Sequence, residues 1–388
     1  MEPIFSAVSN NTHNLYTLLQ CIGFAPKATV QITADGIRVS VEEGRVVEAL
    51  AFLDKALFTS YIFRPSAQSH TSPEETNDSG DGEDNTSPVF VISLSALLET
   101  LKIFGLNDSN TGPTRSTSGM RQSSNPPSNA FSAPALLLDR SCTLQYHQPG
   151  SPLSITLSET GVKTTCELTT YEPNEYEVDI PLQRDAIIMK IIMRSAWLHS
   201  AVVELDSSNP NILGISASAK SEPFFALSGL GGPFSESIVE FSVEEAEQQN
   251  RVRLTPTSRV VQARRAKQST PTVAETFLVS PPSLSTGCER IQQNYRFALI
   301  RKASKAMAAS SKVSIRGDKQ GVLSLQFMIE FDKENNVIQA ASARDPRASA
   351  SGDTVSFVDF RFVPLLDDDD DDHMEREVDD DDTDEDDM

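Results

Sequence analysis

Basic side chains gather on one stretch near the C-terminal third of this 388-residue chain. Within residues 294–310, Arg301, Lys302 and Lys305 fall on one arc of a helical wheel, and apolar residues fall on another arc. A row of Lys and Arg attracts the phosphates of nucleic acid without reading bases. The spacing therefore favours a phosphate-facing surface, although a solvated helix face would show the same pattern.

Three further residues extend this hypothesis. Lys190 and Arg194 lie four residues apart in a predicted helix over 185–200, so they share one of its faces. Lys102 lies on a predicted helix over 93–104, where Glu99 three residues earlier offsets its charge. Helices that line the same side of a sheet would add these charges into one surface.

Catalytic chemistry has weaker support in the sequence. The pairing of Glu204 with Asp206 is the one candidate for metal-dependent nuclease chemistry, and a solvated helix end or turn is the favoured interpretation of it. None of the five histidines is spaced as a metal pair, and the four cysteines contain no C-x-x-C pair. No phosphate-binding glycine loop or nucleophile elbow is present. We therefore expect no catalytic residue, no metal site and no cofactor.

The composition limits the class of protein. A net charge of −22 is concentrated in residues 367–388, where sixteen acidic residues against one arginine account for −15. The remaining chain can therefore carry a locally basic surface. No secretory signal and no run of about 20 apolar residues is visible, so we expect a soluble intracellular protein that makes no contact with a membrane.

Hydrophobic periodicity predicts two halves with a similar plan. The first half begins with a helix over 10–22 and a hairpin over 28–41, whose Asp35-Gly36 turn separates two alternating runs. One or two strands over 46–63, a strand over 89–92, the helix over 93–104 and three short strands follow. Those three strands are predicted at 142–146, 153–157 and 162–168.

The second half repeats that order after an extended, proline-bracketed connector over 170–183. The helix over 185–200 opens it, and the basic helix and the hairpin over 312–329 come later. The other predicted elements are a hairpin over 212–227 and strands at 237–243, 335–340 and 354–363. Polar insertions interrupt the plan at 65–88, 107–134, 244–290 and 341–353.

Three stretches resemble one known family. They are the hairpin KVSIRGDKQGVLSLQFMI, the opening LYTLLQCIGFAPKATVQITADGIRVSVE and the helix SLSALLETLKIF. They are similar to the Rad-one family, whose members are subunits of the nine-one-one DNA-damage checkpoint clamp and relatives of proliferating cell nuclear antigen. The resemblance implies an α+β fold of two tandem sliding-clamp domains, each with antiparallel sheets and two helices on the inner face. The implied division is a first domain at 1–169, a connector at 170–184, a second domain at 185–366 and an acidic tail at 367–388.

The resemblance also implies a function. It predicts a nuclear, non-catalytic subunit of a heterotrimeric ring, completed by Rad-nine-like and Hus-one-like subunits and placed on DNA by a clamp loader. The ring would encircle double-stranded DNA without sequence specificity and serve as a scaffold for checkpoint signalling and repair. Members of the family have also been described as 3′→5′ exonucleases, which stays the alternative. The residues expected to face DNA are Lys102, Lys190, Arg194, Arg301, Lys302 and Lys305.

Overall fold

The computed structural model describes residues 2–65, 87–103, 141–159, 161–173, 179–233, 236–242, 274–280, 290–331 and 354–365. In these ranges the chain passes twice through one series of elements: a strand, a helix, five strands, a helix and three strands. We call the two passes the first half (β1–β9) and the second half (β10–β18).

The elements of the first half are β1 Phe5–Ser9, α1 Thr12–Cys21, β2 Lys27–Ile32, β3 Gly36–Glu43, β4 Val47–Asp54, β5 Ser60–Phe63, β6 Val89–Ser93, α2 Leu94–Lys102, β7 Ser141–Tyr146, β8 Leu153–Glu159 and β9 Val162–Leu168. Those of the second half are β10 Ile187–Arg194, α3 Ser195–Asp206, β11 Ile212–Ser218, β12 Phe225–Leu230, β13 Ser237–Phe241, β14 Ala274–Val279, β15 Arg290–Arg296, α4 Phe297–Ile300, α5 Ser304–Ala309, β16 Lys312–Asp318, β17 Leu323–Phe331 and β18 Thr354–Phe362. A 3₁₀ turn, Arg301–Ala303, joins α4 to α5. We call these three pieces together the fourth helical segment (297–309).

The strands form three antiparallel sheets. The five-stranded sheet has the order β5-β1-β7-β8-β9, and the four-stranded sheet has the order β13-β12-β11-β15. The nine-stranded sheet, β14-β10-β16-β17-β18-β4-β3-β2-β6, is the second half's five strands joined to the first half's four. Each half therefore contributes one five-stranded and one four-stranded unit, arranged in the same order.

The joint between the halves is the pairing of β18 with β4. Val358 lies opposite Ala51, and Phe362 lies opposite Val47. All four of these side chains are buried, so an apolar core continues across the joint. Burial of this kind, at about 25 cal/mol per Å² of apolar surface, is the main stabilising term of such a joint.

The helices lie side by side on the core face of the sheets. α1 contacts both α2 and α5, and α5 contacts α3, so the order across the layer is α2, α1, the fourth helical segment, α3. Asn11 caps α1 and Ser93 caps α2, each accepting a hydrogen bond from a backbone N–H in the first turn. Leu15, Leu18 and Leu19 are the buried stripe of α1.

The hairpin of β16 and β17 confirms the interpretation of residues 312–329. Its turn is closed by the buried Asp318, whose Oδ1 accepts hydrogen bonds from the backbone N–H groups of Gln320 and Val322. Gly321 has φ +85°, a conformation that favours glycine. Any other residue at this position would also place its Cβ atom 2.9 Å from the Pro364 side chain. The alternating apolar residues of both strands are buried, as the pattern indicated.

Most of the other predicted elements are also confirmed. The first hairpin is β2 and β3, with Asp35-Gly36 at its turn, and the 46–63 region contains β4 and β5. The strand at 89–92, the helix over 93–104 and the three strands that end the first half are present. So are the second hairpin, β13 and the closing strand β18. No helix within the described ranges is long and apolar enough to cross a membrane.

The predicted helix over 185–200 is wrong in its first half. Ile187–Arg194 is the strand β10, and α3 begins only at Ser195. β10 lies between β14 and β16, with its register shifting at two points, and most of its residues are at least partly buried. Residues 187–193 are apolar on both faces of the strand except at Lys190, and periodicity cannot distinguish such a run from a buried helix.

Two further boundaries need correction. The basic helix predicted over 294–310 starts at Phe297, because the preceding residues form β15. The insertion predicted over 244–290 contains the strand Ala274–Val279, which pairs with β10. Outside the described residues lie positions 66–86 of the insertion predicted over 65–88, the insertion at 107–134, the strand predicted at 335–340, the loop at 341–353 and the tail.

Candidate functional site

The fourth helical segment presents its basic residues on the side away from the core. Phe297, Ile300, Ala303 and Met307 are buried, with relative exposures of 0–1%. Because these positions recur every three or four residues, the residues between them are turned outward. This is the arrangement that the helical wheel predicted, and it presents Arg301 and Lys305 to solvent.

Two of the three cations on this segment are held by carboxylates. Arg301 bonds to Asp206 at the end of α3, with 2.5 Å between the guanidinium nitrogen and the carboxylate oxygen. Lys302 bonds to Glu43 of β3 at 2.7 Å, and its ammonium lies 5.2 Å from the centre of the Phe24 ring. Lys305 is exposed and forms no ion pair with any residue in the described ranges.

Lys102 is also paired. Its ammonium bonds to Glu99 at 2.9 Å and lies 5.6 Å from the centre of the Tyr16 ring. The hydrogen bond to Glu99 is the main cause that raises the pKa of Lys102. The pairing with Glu99 matches the offset expected from their spacing.

The structure separates Lys190 from the helical cations. It lies on β10, not on a helix, and it alternates with the buried Met189 and Ile191, so it is on the sheet face opposite the core. Its cross-strand neighbours there are Arg316 and Leu278. Arg194 is exposed at the junction of β10 with α3, next to the helix layer.

The two candidate carboxylates do not form a metal site. Asp206 pairs with Arg301, while Glu204 is exposed on α3. In the part of the chain that the structure describes, no group of three or more His, Cys, Asp or Glu side chains converges as metal ligands would. The histidines among the described residues therefore belong to no such group either.

A polar clamp over the joint between the halves was not predicted. Glu48 of β4 and Arg361 of β18 lie opposite each other across the joint. Glu48 Oε2 accepts a hydrogen bond from the backbone N–H of Ile180 at 3.0 Å, and Arg361 donates one to the carbonyl of Ile180 at 2.9 Å. These bonds hold the buried Ile180 of the connector against the sheet. The signal in the sequence is a charged residue within each apolar strand, and it does not reveal that Glu48 and Arg361 pair.

Burial of Glu48 is the largest cause that raises the pKa of its carboxyl to about 7. The hydrogen bond from Ile180 and the charge of Arg361 oppose that rise, and Asp179 adds to it. Beside the clamp, a groove of about 420 Å³ runs between β2, β3 and the connector. Its walls carry the acidic residues Glu42, Glu172 and Asp179 together with Lys27.

This architecture defines a class of protein. A twice-repeated unit, with antiparallel sheets on one side and four helical segments on the other, is the fold of the sliding clamps. The structure is similar to a crystal structure of PCNA from Thermococcus kodakaraensis, with a TM-score of 0.50 and 14% sequence identity, over 93% of this chain and 100% of that chain. At that identity the similarity shows the fold alone.

Sequence comparison then identifies the family. Residues 4–329 match the family model described as Repair protein Rad1/Rec1/Rad17. The DNA damage checkpoint control protein rad1 of Schizosaccharomyces pombe is 31% identical over 328 residues, covering 84% of this chain and 81% of that protein. The cell cycle checkpoint protein RAD1 of Homo sapiens is 30% identical over 321 residues, 82% of this chain and 84% of that protein. The chain therefore belongs to the Rad1/Rec1/Rad17 family of checkpoint and repair proteins.

Proposed function

We propose that this chain is a non-catalytic subunit of a heterotrimeric ring that encircles DNA in the nucleus and serves as a scaffold for damage signalling and repair. In this proposal it has two clamp domains, 1–169 and 185–366, joined by a connector at 170–184 and followed by an acidic tail at 367–388. Two different clamp subunits, Rad-nine-like and Hus-one-like, complete the ring, and a clamp loader opens it around double-stranded DNA.

The observation that carries the proposal is the repeat of strand order. Within the chain, the last strand of one half (β18) pairs with the fourth strand of the other (β4). The equivalent strands, β9 and β13, are edges of their sheets among the described residues. The same joint can therefore be formed with a neighbour at each end, which removes both edges. Because the two ends differ, each joint is heterologous, and a rotation that closes gives a ring.

The helix layer supplies the surface toward DNA in this proposal. Arg301, Lys302, Lys305 and Lys102 belong to that layer, and Arg194 lies at its border. Carboxylates hold three of these cations, so the net field on phosphates is weak. A ring that must move along DNA needs such weak, sequence-independent attraction, since tight contacts would arrest it. Lys190 is not part of this proposed surface because it lies on the opposite sheet face.

Co-expression tests the proposal. We expect native mass spectrometry of the full chain, co-expressed with the Rad-nine-like and Hus-one-like subunits of the same organism, to show a complex with one copy of each. The chain alone serves as the control. A chain that stays monomeric, or forms a homotrimer, in the presence of both partners would contradict the proposal.

An exonuclease is the second candidate, because one relative carries that name. The DNA repair exonuclease REC1 of Mycosarcoma maydis is 25% identical over 225 residues, which is 56% of this chain and 44% of that protein. The candidate carboxylates here are Glu204 and Asp206, and the second is engaged by Arg301. Mg²⁺-dependent release of 3′ nucleotides, abolished by Glu204→Ala or Asp206→Ala, would support this activity. We propose instead that the purified chain releases none.

A further inference from the structure

Two features singled out in the sequence have no role in the clamp described so far. One is Lys190, which lies on the sheet face opposite the core. The other is the acidic tail, residues 367–388, with its charge of −15. The structure describes the chain as far as Leu365, so the tail follows the last described residues almost directly.

Lys190 lies directly opposite a second cation. In the pairing of β10 with β16 its partner is Arg316, and both side chains are partly buried. Residues directly opposite each other on neighbouring strands share one sheet face, and like charges in such positions destabilise the sheet. An anion that contacts both side chains removes this repulsion. We call Lys190 and Arg316 together the cation pair.

The described residues leave the charge of the cation pair without an ion pair. Neither member bonds to a carboxylate within the described ranges. Arg316 donates hydrogen bonds to Ser314 and Gln326, which are both neutral. Asp359, on the same face, bonds to Arg361 instead, although the charge of Arg316 also opposes the rise that burial causes in the pKa of its carboxyl.

The surroundings of the cation pair are open and basic. Leu278, opposite Lys190 on β14, is 59% exposed, so no described residue covers this part of the face. A backbone hydrogen bond from Lys319 connects the β16–β17 turn to the segment that precedes β10. Lys319 and Arg184 of that segment are exposed, and Asp185 offsets one of the two charges.

The chain leaves the described structure beside the same end of the sheet. Pro364 packs against the β16–β17 turn, as its closeness to Gly321 shows, and Leu365 donates a backbone hydrogen bond to the Asn294 carbonyl. Arg316 precedes that turn on β16. A few residues of strand and one or two strand spacings separate Pro364 from the cation pair, which is about 15–20 Å. About six extended residues span this distance.

Charge and tethering favour the tail as the occupant of this face. Residues 367–372 are all aspartate. A segment tethered within reach of its site has an effective concentration of about millimolar, so a free acidic peptide would have to bind more tightly to displace it. The helix layer is a poorer site for the tail, because Asp206, Glu43 and Glu99 already hold three of its cations.

We infer that the acidic tail docks on the sheet face opposite the core, with its aspartates on the cation pair of Lys190 and Arg316. The docking is a contact within one chain and does not depend on the ring. Its consequence rests on the proposed function: a docked tail holds its negative charge on the face away from the helix layer, where it would otherwise compete with DNA for Lys305.

Zero-length crosslinking of the full isolated chain tests the docking. A carbodiimide joins a carboxylate to a lysine amine only where the two are in contact, and peptide mapping of the monomer identifies the joined residues. The ion pair of Lys55 with Asp35, at 2.8 Å, is the internal control for the reaction. We expect tail carboxylates to be joined to Lys190 at least about fivefold more than to Lys305, and this link to weaken in about 0.5 M NaCl, where screening is strong.

Matched variants of Arg316 sharpen the test. Arg316→Lys keeps the charge and supplies an amine, so we expect a new link between the tail and position 316. Arg316→Gln removes the charge and should lower the yield of the link to Lys190 about threefold or more. Lys305→Gln is the control and should leave that yield unchanged. Thermal unfolding verifies that each variant folds.

Four results would overturn the inference. A tail joined mainly to Lys305 docks on the helix layer, and a tail joined evenly to exposed lysines such as Lys163 docks nowhere in particular. Absence of any tail link, in a sample where Lys55 is joined to Asp35, excludes docking. A free acidic peptide that abolishes the link to Lys190 at equal concentration would make an external partner the better occupant. None of these results bears on the heterotrimer, which native mass spectrometry tests separately.

Discussion

Strands that are equivalent in the two halves have very different surroundings. On β18, inside the joint, Val358, Phe360 and Phe362 are fully buried. On its counterpart β9 no residue is buried, and Val162 is 47% exposed. The fourth strands show the same contrast: β4 is largely buried, whereas Ile238 on β13 is 64% exposed. The repeat therefore has one closed joint and two open ends of the same kind.

Residue type explains part of this difference. Most positions of the closed joint are aromatic or aliphatic, and its charged residues Glu48 and Arg361 lie opposite each other, whereas β9 carries Lys163 and Glu167 and β13 carries Glu240. Charged residues on an edge strand suppress pairing with wrong partners. In the proposed ring the internal joint is permanent, and the open ends select a partner that satisfies both their apolar and their charged positions.

The largest expected effect is on the closed joint. Phe360 packs against Phe24, Phe327 and Phe362. We expect Phe360→Ala to lower the free energy of unfolding by about 3–5 kcal/mol, because it leaves a cavity in the core that both halves share. Urea denaturation followed by circular dichroism measures this. Phe357→Ala, at an exposed position of the same strand, should cost less than about 1 kcal/mol. Equal losses would show that the joint is not the apolar core we describe.

The next effect concerns an open end. Ile238→Lys should leave the unfolding free energy of the isolated chain within about 0.5 kcal/mol, because the side chain is solvated there. It should weaken the heterotrimer about tenfold or more, since the lysine would have to be desolvated in the pairing of β13. Analytical ultracentrifugation measures the assembly. Ile62→Lys, on the edge strand β5, is the control and should assemble normally, because β5 has no counterpart in the joint. If both variants assemble equally well, β13 is not an interface.

Much of this architecture was accessible from sequence. Alternation with a central Asp35-Gly36 or Gly317–Gly321 turn located two hairpins, and capped amphipathic stretches located α1 and α2. The clamp fold followed from the resemblance together with this repeat. The misassigned β10 carries apolar residues on both faces although only one face is the core face, and β14 is a short strand within a polar stretch, so neither has a periodic signal of its own.

The ion pairing of the candidate site could be predicted less well from the sequence. Arg301, Lys302 and Lys305 were correctly placed on the outer arc of one helix, because local periodicity decides that. The neutralisation of Arg301 by Asp206 and of Lys302 by Glu43 depends on residues 95 and 259 positions away, which no local pattern encodes. The clamp of Glu48 and Arg361 on the connector has the same origin, since sheet register alone brings the two side chains together.

A smaller effect concerns the polar clamp formed by Glu48 and Arg361, which belongs to the closed joint alone. The pKa of Glu48 is raised from its usual 4.5 to about 7. The native state therefore holds a proton more tightly than the unfolded chain does, and this stabilisation is fully present below pH 4.5 and lost as the pH rises through about 7. Glu48→Gln keeps an acceptor for the Ile180 amide without the titration. We expect the variant's unfolding free energy to vary less between pH 5 and 8 than the wild type's.

Urea denaturation at several pH values in this range measures the effect. Glu330→Gln removes an exposed carboxylate of the same sheet and serves as the control. It should retain the wild-type pH dependence. An unchanged slope in Glu48→Gln would mean that Glu48 is ionised as easily in the joint as in the unfolded chain, and that the clamp carries no linkage to pH.

The smallest expected effect is on DNA association, and it compares a free cation with a paired one. Lys305 has no carboxylate partner among the described residues, whereas Lys302 bonds to Glu43. Loss of one phosphate contact reduces the slope of log K against log salt by about 0.9. We therefore expect Lys305→Ala in the assembled ring to reduce this slope by up to that amount and to lower affinity for a duplex about two- to threefold. Lys302→Ala should change the slope less, because the Lys302 ammonium is bonded to Glu43 and is not free to contact a phosphate. Fluorescence anisotropy with a labelled duplex at several salt concentrations measures both variants.

If Lys302→Ala had the larger effect, the ion pair with Glu43 would have to open on DNA, and the helix layer would be more basic in the complex than in the free chain.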